Sequence, residues 1–232
     1  MRFGGWTIGL LAFALSACGA EAPPQESAEP AETSEAAPDI AVSGPERTIL
    51  AFGDSLFAGY NLAEHEGYPE RLEVALRAQG INARVIDAGV SGDTTAAGRQ
   101  RIGFVLDNAA SPPDLAIVEL GGNDLLRGIA PASTRENLGA ILEELSRREI
   151  PVLLMGMRAP PNLGAQFQSE FDGLYPALAD EYDAALVPFF LEAVFDQPQL
   201  ILPDRIHPTA EGVRALVEAT RPAVVAALPP AD

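Results

Sequence analysis

Lysine is absent from the 232-residue sequence, and cysteine and histidine are scarce. The single cysteine, Cys18, rules out a disulfide within the chain and a cysteine-rich metal site. Two histidines, His65 and His207, are too few for a histidine-based zinc site. All 15 basic residues are arginines, against 33 acidic ones, and the formal net charge is −18. Nucleic-acid binding needs clustered positive charge, so these counts argue against that partner.

The apolar run near the N-terminus is short. It covers residues 6–15, whereas a membrane-spanning helix needs about 20 residues. The run follows one arginine and is typical of the apolar region of a secretory signal peptide. A soluble amphipathic helix is the alternative, but the run has no polar face. We therefore predict a signal peptide over residues 1–18.

Residues 15–18, Leu-Ser-Ala-Cys, resemble the lipobox of bacterial lipoproteins. In such proteins the cysteine is acylated on its thiol, and cleavage makes it the new N-terminus. The alternative is an incidental cysteine beside a cleavage site. The chain's only cysteine falls here, directly before a polar tract, which favours lipidation of Cys18. Two or more acyl chains give stable anchoring, so we expect attachment to a membrane of the bacterial cell envelope, facing the periplasm.

Residues 19–46 are rich in Ala, Glu, Pro and Ser, and contain seven acidic residues, no basic residue and no aromatic residue. Such a segment cannot bury enough apolar surface to offset the entropy lost on ordering. The composition predicts a disordered, self-repelling tether. Residues 47–232 then form one domain.

Apolar runs and helical spacing alternate along this domain. The runs predict strands near residues 48–52, 84–88, 114–120, 152–157 and 185–187. Amphipathic spacing predicts helices near residues 68–79, 93–105, 133–148, 168–182 and 209–228, with Ser133 or Thr134 capping the third and Thr209 the last. The alternation predicts an α/β fold: a three-layer α/β/α arrangement with a central five-stranded parallel sheet. Ligands then bind at the carboxyl ends of the strands.

Ser55 is a candidate nucleophile. It lies in Gly-Asp-Ser-Leu at residues 53–56, where the first predicted strand ends. A serine after a Gly-Asp turn more often serves the turn itself. The G-x-S-x-G elbow of α/β-hydrolases is absent, because Phe57 occupies the position of the second glycine.

His207 is the candidate base, in Asp-Arg-Ile-His at residues 204–207. This spacing lets one turn place the Asp204 carboxylate against the imidazole nitrogen that faces away from a serine, which fixes the tautomer. The alternative is an Asp–His pair that caps the last helix. His65, between two glutamates, is interpreted as a solvated loop residue.

Asn123 and Gly92 are candidate oxyanion donors. Asn123 follows two glycines after the third strand, and its alternative role is that of a turn residue with positive φ. Gly92 follows the second strand and could direct its backbone N–H at an oxyanion. Its alternative role is a glycine at the start of a helix that Ser91 or Asp93 caps.

The four sequence segments that contain Ser55, Gly92, Asn123 and His207 fall at the ends of three predicted strands and before the last helix. Together they resemble the SGNH hydrolase family, which is named for its Ser, Gly, Asn and His. The likeness covers about residues 47–228 and extends to GDSLFAGY (53–60), SGDT (91–94), VELGGNDLLRG (118–128) and PFFLE (188–192). It is strongest to the bacterial thioesterase, protease, lysophospholipase and arylesterase group. The acidic tether and the lipobox depart from that group, whose members are often free periplasmic proteins.

The resemblance implies a serine ester hydrolase that needs no metal or other cofactor. Ser55 attacks an acyl carbonyl, His207 takes its proton and Asp204 orients His207. The oxyanion hole consists of the Ser55 and Gly92 backbone N–H groups and the Asn123 amide. Residues 125–131 and 158–163 are expected to line the acyl groove.

The resemblance further implies action on lysophospholipids, aryl esters or acyl thioesters, and we expect the protein to be a monomer. Two alternatives stay open. One is a carbohydrate O-deacetylase of the same fold. The other is a surface lipoprotein that uses a decayed hydrolase domain for binding, although no catalytic position is missing.

Overall fold

The structure, a computed structural model, describes Met1 and residues 40–230. The predicted lipidation site, Cys18, lies outside the described residues, as do residues 2–17 and most of the predicted tether. In the part of the chain that is described, none of the helices combines the length and apolar character needed to cross a membrane.

Five parallel strands form the central sheet in the order β2-β1-β3-β4-β5. Every residue of the middle strand β3 is buried, so both faces of the sheet are covered. The predicted α/β fold with a five-stranded parallel sheet is confirmed. The strands are β1 (Arg47–Gly53), β2 (Ala83–Gly89), β3 (Leu115–Glu119), β4 (Val152–Met155) and β5 (Ala185–Val187).

The α-helices form two packing groups around this sheet. The first and last helices pack against each other, and α4 packs between α2 and α5. Short 3-10 helices at Glu64–Glu66, Pro161–Leu163, Phe190–Ala193 and Pro198–Leu200 shape the connecting loops. The α-helices are α1 (Tyr68–Arg77), α2 (Thr95–Asp107), α3 (Gly122–Leu126), α4 (Pro131–Arg147), α5 (Ala165–Glu181) and α6 (Ala210–Ala227).

The helix caps differ in part from the prediction. Thr209 caps α6 as predicted, accepting a hydrogen bond from Gly212 N at 3.1 Å. The predicted caps of α4 are wrong: the helix begins at Pro131, whose ring favours the first helical position, and Thr134 is buried within it. Thr94, rather than Ser91 or Asp93, caps α2.

Residues 40–46, within the predicted tether, contact the domain. Arg77 Nε donates to the carbonyl of Ile40 at 2.8 Å, and Asn82 Nδ2 donates to the carbonyl of Gly44 at 3.0 Å. The ordered contacts of the domain therefore begin before the predicted boundary at Arg47.

The turn that follows β1 is anchored by an aromatic cluster. Phe57 is fully buried and stacks on Tyr68, with ring centroids 4.8 Å apart. The ring of Phe190 meets both edge-on. Offset and edge-on aromatic contacts add about 0.5–1.5 kcal/mol beyond burial. Phe57, which occupies the position of the second glycine in a nucleophile elbow, thus fixes the chain just after Ser55.

Candidate active site

The carboxyl ends of three neighbouring strands lie level at one edge of the sheet. Gly53 at the end of β1 pairs in register with Gly89 of β2 and with Glu119 of β3. The segments that follow these strands and carry Ser55, Gly92 and Asn123 therefore leave the sheet side by side. The strand register brings these three predicted site residues together.

Ser55, His207 and Asp204 form one continuous hydrogen-bonded chain. His207 Nε2 lies 2.9 Å from Ser55 Oγ, and His207 Nδ1 lies 2.8 Å from Asp204 Oδ2. A carboxylate can only accept, so Nδ1 carries the proton and Nε2 is left to accept from the serine hydroxyl. Ser55 is 9% exposed, and the histidine side chain is 13% exposed. The arrangement matches the nucleophile, base and orienting acid of acyl-transfer enzymes.

A tight loop before α6 holds the histidine. Its ends are tied by an antiparallel bridge between Ile201 and Pro208 and by a 2.7 Å bond from Leu202 N to the His207 carbonyl. Arg205 adopts a left-handed φ of 63° at the turn. This turn brings the Asp204 carboxylate next to the imidazole of His207, three residues further along the chain.

The carboxylate of Asp204 is ionised at neutral pH. Burial raises the pKa of Asp204, but hydrogen bonds from the backbone and ring of His207 and from Ile206 N outweigh it and hold the pKa at about 2. The carboxylate is therefore charged whenever the imidazole gains a proton.

The two backbone donors proposed for the oxyanion hole have no partner in the described part of the chain. None of the hydrogen bonds among the described residues uses the backbone N–H of Ser55 or Gly92. Gly92 has a φ of +86°, a conformation that favours glycine. Asn123 lies in the first turn of α3, so its alternative role as a positive-φ turn residue is wrong. The positive φ of that motif, 119°, belongs to Gly121, against which the Tyr175 hydroxyl packs.

Two arginines link these donor loops. Arg101 donates to the Gly53 carbonyl at 2.9 Å and to Asp93 Oδ2 at 2.6 Å, so it joins the loop after β1 to the loop after β2. Arg127, which follows α3, donates to the Gly92 carbonyl at 2.7 Å. The donors are thus held in place before substrate arrives, the condition for electrostatic stabilisation without reorganisation.

Two buried acids beneath the site were not singled out from the sequence. Asp54 is 2% exposed and Glu119 is fully buried. Burial raises the pKa of Asp54, and burial together with the neighbouring Asp54 raises the pKa of Glu119 well above its usual range. The signal was available: Asp54 directly follows one apolar strand and Glu119 ends another, positions where a charge needs a specific partner.

A pocket of about 660 Å³ opens beside Ser55 and His207. Both predicted groove segments contribute to its wall: Leu125 and Leu126 from the first, and Arg158, Pro160, Asn162 and Leu163 from the second. The segment after β5 contributes further apolar side chains that were not predicted: Phe189, Leu191 and Phe195. His65 lies in a 3-10 helix outside this lining.

Metal ligands are not grouped in the described part of the chain. Among Met1 and residues 40–230, no cluster of three or more His, Cys, Asp or Glu side chains could hold an ion.

The chain is similar to known proteins in sequence and in fold. The model of the GDSL-like lipase/acylhydrolase family matches residues 51–215. The chain is 38% identical over 172 residues to Esterase TesA of Pseudomonas aeruginosa, covering 74% of this chain and 85% of that protein. It is 38% identical over 164 residues to thioesterase 1/protease 1/lysophospholipase L1 of Escherichia coli K12, covering 71% and 76%.

Among solved structures, AlinE4, an SGNH-hydrolase family esterase, is 69% identical to this chain. The superposition has a TM-score of 0.69 and covers 81% of this chain and 100% of AlinE4. The family match spans all five predicted site residues: Ser55, Gly92, Asn123, Asp204 and His207. The chain belongs to the GDSL-like lipase/acylhydrolase family.

Proposed function

We propose that the protein is a serine hydrolase of acyl esters that works through an acyl-enzyme on Ser55. The observation that carries this is the hydrogen-bonded chain from Ser55 Oγ through His207 to Asp204, with bond lengths of 2.9 and 2.8 Å. It opens into a pocket that also contains Gly92 and Asn123.

In the acylation step, Ser55 Oγ bonds to the acyl carbonyl carbon and its proton passes to His207 Nε2. The negative oxygen accepts hydrogen bonds from the Ser55 and Gly92 N–H groups and the Asn123 amide. Collapse breaks the bond to the leaving group, which takes the proton from the imidazolium. Asp204 stabilises the imidazolium in between.

In the deacylation step, His207 takes a proton from water, whose oxygen attacks the acyl-enzyme carbonyl. The second tetrahedral oxyanion uses the same three donors. Ser55 Oγ then leaves and regains its proton from the imidazolium, which releases the acid and restores the enzyme. Protons and charges balance without a metal or other cofactor.

The wall of the pocket favours an apolar acyl chain as substrate. Leu125, Leu126, Leu163 and Phe195 line it, and the volume of about 660 Å³ is that of a site for a small molecule or a moderate acyl chain. The names of the relatives fit this choice, since they include an esterase and a thioesterase/lysophospholipase. We therefore propose aryl esters, acyl thioesters and lysophospholipids as the substrate class.

Chain-length dependence tests this choice. The full-length protein is assayed on p-nitrophenyl esters from acetyl to dodecanoyl. Each buried methylene contributes about 0.8 kcal/mol, so kcat/KM is expected to rise by up to about fourfold per methylene until the pocket is full. A maximum at acetyl, together with release of acetate from acetylated glycans, would instead identify a carbohydrate deacetylase. No turnover of any ester would favour the binding lipoprotein.

We also propose that acyl chains on Cys18 hold the protein to a membrane of the bacterial cell envelope, facing the periplasm. The support is the sequence pattern at residues 15–18 and the acidic tract that follows. Cys18→Ser should move the protein from the membrane to the soluble fraction of fractionated cells. Continued sedimentation with membranes would contradict lipid anchoring through this thiol.

A further inference from the structure

Two carboxylic acids lie directly beneath the oxyanion donors and have no part in the proton transfers described above. Asp54 precedes Ser55, and Glu119 ends the neighbouring strand β3. Their exposures are 2% and 0%. Burying two acids side by side is costly unless each has a defined partner, so their contacts need an explanation.

Asp54 accepts a hydrogen bond on each of its oxygens. Leu56 N donates to Oδ1 at 3.0 Å, and Asn123 Nδ2 donates to Oδ2 at 3.0 Å. Both partners are obligate donors, which fits an ionised carboxylate. The second bond uses one of the two amide hydrogens of Asn123 and fixes the plane of that amide.

Glu119 contacts the backbone of Asp54 from the end of strand β3. Its Oε2 lies 3.4 Å from Asp54 N, and its Oε1 has no hydrogen-bond partner among the described residues. Because burial and the Asp54 charge both raise the pKa of Glu119, this acid holds the proton of the pair. The pair then carries one negative charge, which limits the repulsion it exerts on an oxyanion nearby.

We propose that Asp54 is a positioning residue for the reaction: its carboxylate holds the Asn123 amide so that the second Nδ2 hydrogen points at the oxyanion formed on Ser55, and Glu119 keeps Asp54 in place. This inference rests on the proposed esterase function. It adds that the aspartate of the Gly-Asp-Ser-Leu motif acts through a side chain 69 residues away.

The competing explanation is that Asp54 only stabilises its own turn. Asp54 could serve only the turn after β1 through its bond to Leu56 N. Both explanations predict that Asp54→Asn lowers activity, because one asparagine oxygen cannot accept both bonds and the amide group places a donor against a donor. They differ in whether the loss depends on Asn123.

A double-mutant cycle on the full-length protein separates them. The variants are Asp54→Asn, Asn123→Ala and both together, assayed for kcat and KM on a p-nitrophenyl ester. We expect Asn123→Ala to lower kcat by on the order of 10²–10³ and Asp54→Asn to lower it by about tenfold or more, each with KM nearly unchanged. In the Asn123→Ala background, Asp54→Asn should cost less than about threefold. An equal loss in both backgrounds would overturn the proposal.

Glu119 gives a second test that does not require Asp54→Asn to fold. Glu119→Gln keeps the shape and donor capacity of a protonated acid, so kcat should stay within about threefold of the wild type. Glu119→Ala removes the support, and its loss of kcat should again shrink in the Asn123→Ala background. A tenfold loss in a Glu119→Gln variant with an unchanged melting temperature would contradict the assigned role.

Asp114→Asn is the matched control. Asp114 Oδ2 accepts from Thr48 N at 2.7 Å at the opposite end of β1, away from the site. It should lower the melting temperature and leave kcat unchanged in both backgrounds. The two proposals fail in distinguishable ways: an active Ser55→Ala variant would refute the esterase mechanism, whereas an essential Ser55 with an additive cycle would refute only the role of Asp54.

Discussion

His207 Nε2 lies 2.9 Å from Ser55 Oγ, although 152 residues separate the two in the sequence. The contact joins the turn after the first strand to the loop before the last helix. The nucleophile–base pair therefore forms only when segments from the two ends of the domain come together.

Replacement of Asp204 tests its pairing with His207. The Asp204 carboxylate has a pKa of about 2, so at neutral pH it is charged, accepts the Nδ1 proton and stabilises the imidazolium formed during attack. Asp204→Asn removes this charge and lets an amide N–H face the ring, which favours the wrong tautomer. Initial rates at neutral pH should therefore show kcat lowered by on the order of 10⁴, with the melting temperature little changed. A kcat close to that of the wild type would show that another group orients the histidine.

Replacement of Asn123 separates a catalytic from a structural role. Asn123→Ala removes one oxyanion donor, which typically costs about 2.7–4 kcal/mol of transition-state stabilisation, or 10²–10³ in kcat. KM should change little, since the ground-state carbonyl needs that bond less. The lost bond leaves an oxygen of the buried Asp54 carboxylate without this partner, which should cost about 1.5–3 kcal/mol in stability, a drop of several degrees in melting temperature. Near-normal kcat with a strongly lowered melting temperature would assign Asn123 to the fold.

The ring of Tyr60 lies against His207, the proposed base, at an interplanar angle of 31°. The ring centroids of Tyr60 and His207 are 4.3 Å apart, and the tyrosine is 42% exposed at the pocket rim. An aromatic face stabilises a nearby cation by about 0.5–1 kcal/mol at an exposed site, so the Tyr60 ring should stabilise the imidazolium that forms during attack. Tyr60→Ala should therefore lower kcat about two- to fivefold. Tyr60→Phe keeps the ring and is the control: its kcat should stay within about twofold of the wild-type value. Equal losses in both variants would assign the effect to the hydroxyl.

The sheet was predictable because its strands are short apolar runs separated by amphipathic helices. β5 at Ala185–Val187 matches its predicted range. The five-residue helix α3 was not predicted, because one turn and a half carries no periodic signal and its start depends on the left-handed backbone of Gly121. Similarly, Asp93 was a reasonable cap from sequence alone, but it pairs with Arg101 at 2.6 Å, and Thr94 caps the helix instead.

The side chains proposed to react could be singled out from the sequence, whereas the residues that hold them in place could not. Ser55, Asp204 and His207 lie in local motifs that chemistry alone makes candidates. Asp54 and Tyr60 contact their partners across long stretches of sequence, and no local pattern indicates which side chain each one meets. Tertiary structure is needed to identify residues that act through others.

Covalent labelling of Ser55 tests the central claim most directly. A fluorophosphonate should react with the wild-type protein, and peptide mass spectrometry should place a single phosphonyl group on Ser55 with loss of esterase activity. Ser55→Ala should fold, remain unlabelled and lose activity by several orders of magnitude, since one small buried oxygen is removed together with the covalent route. Labelling at another residue, or ester hydrolysis retained by Ser55→Ala, would contradict the account.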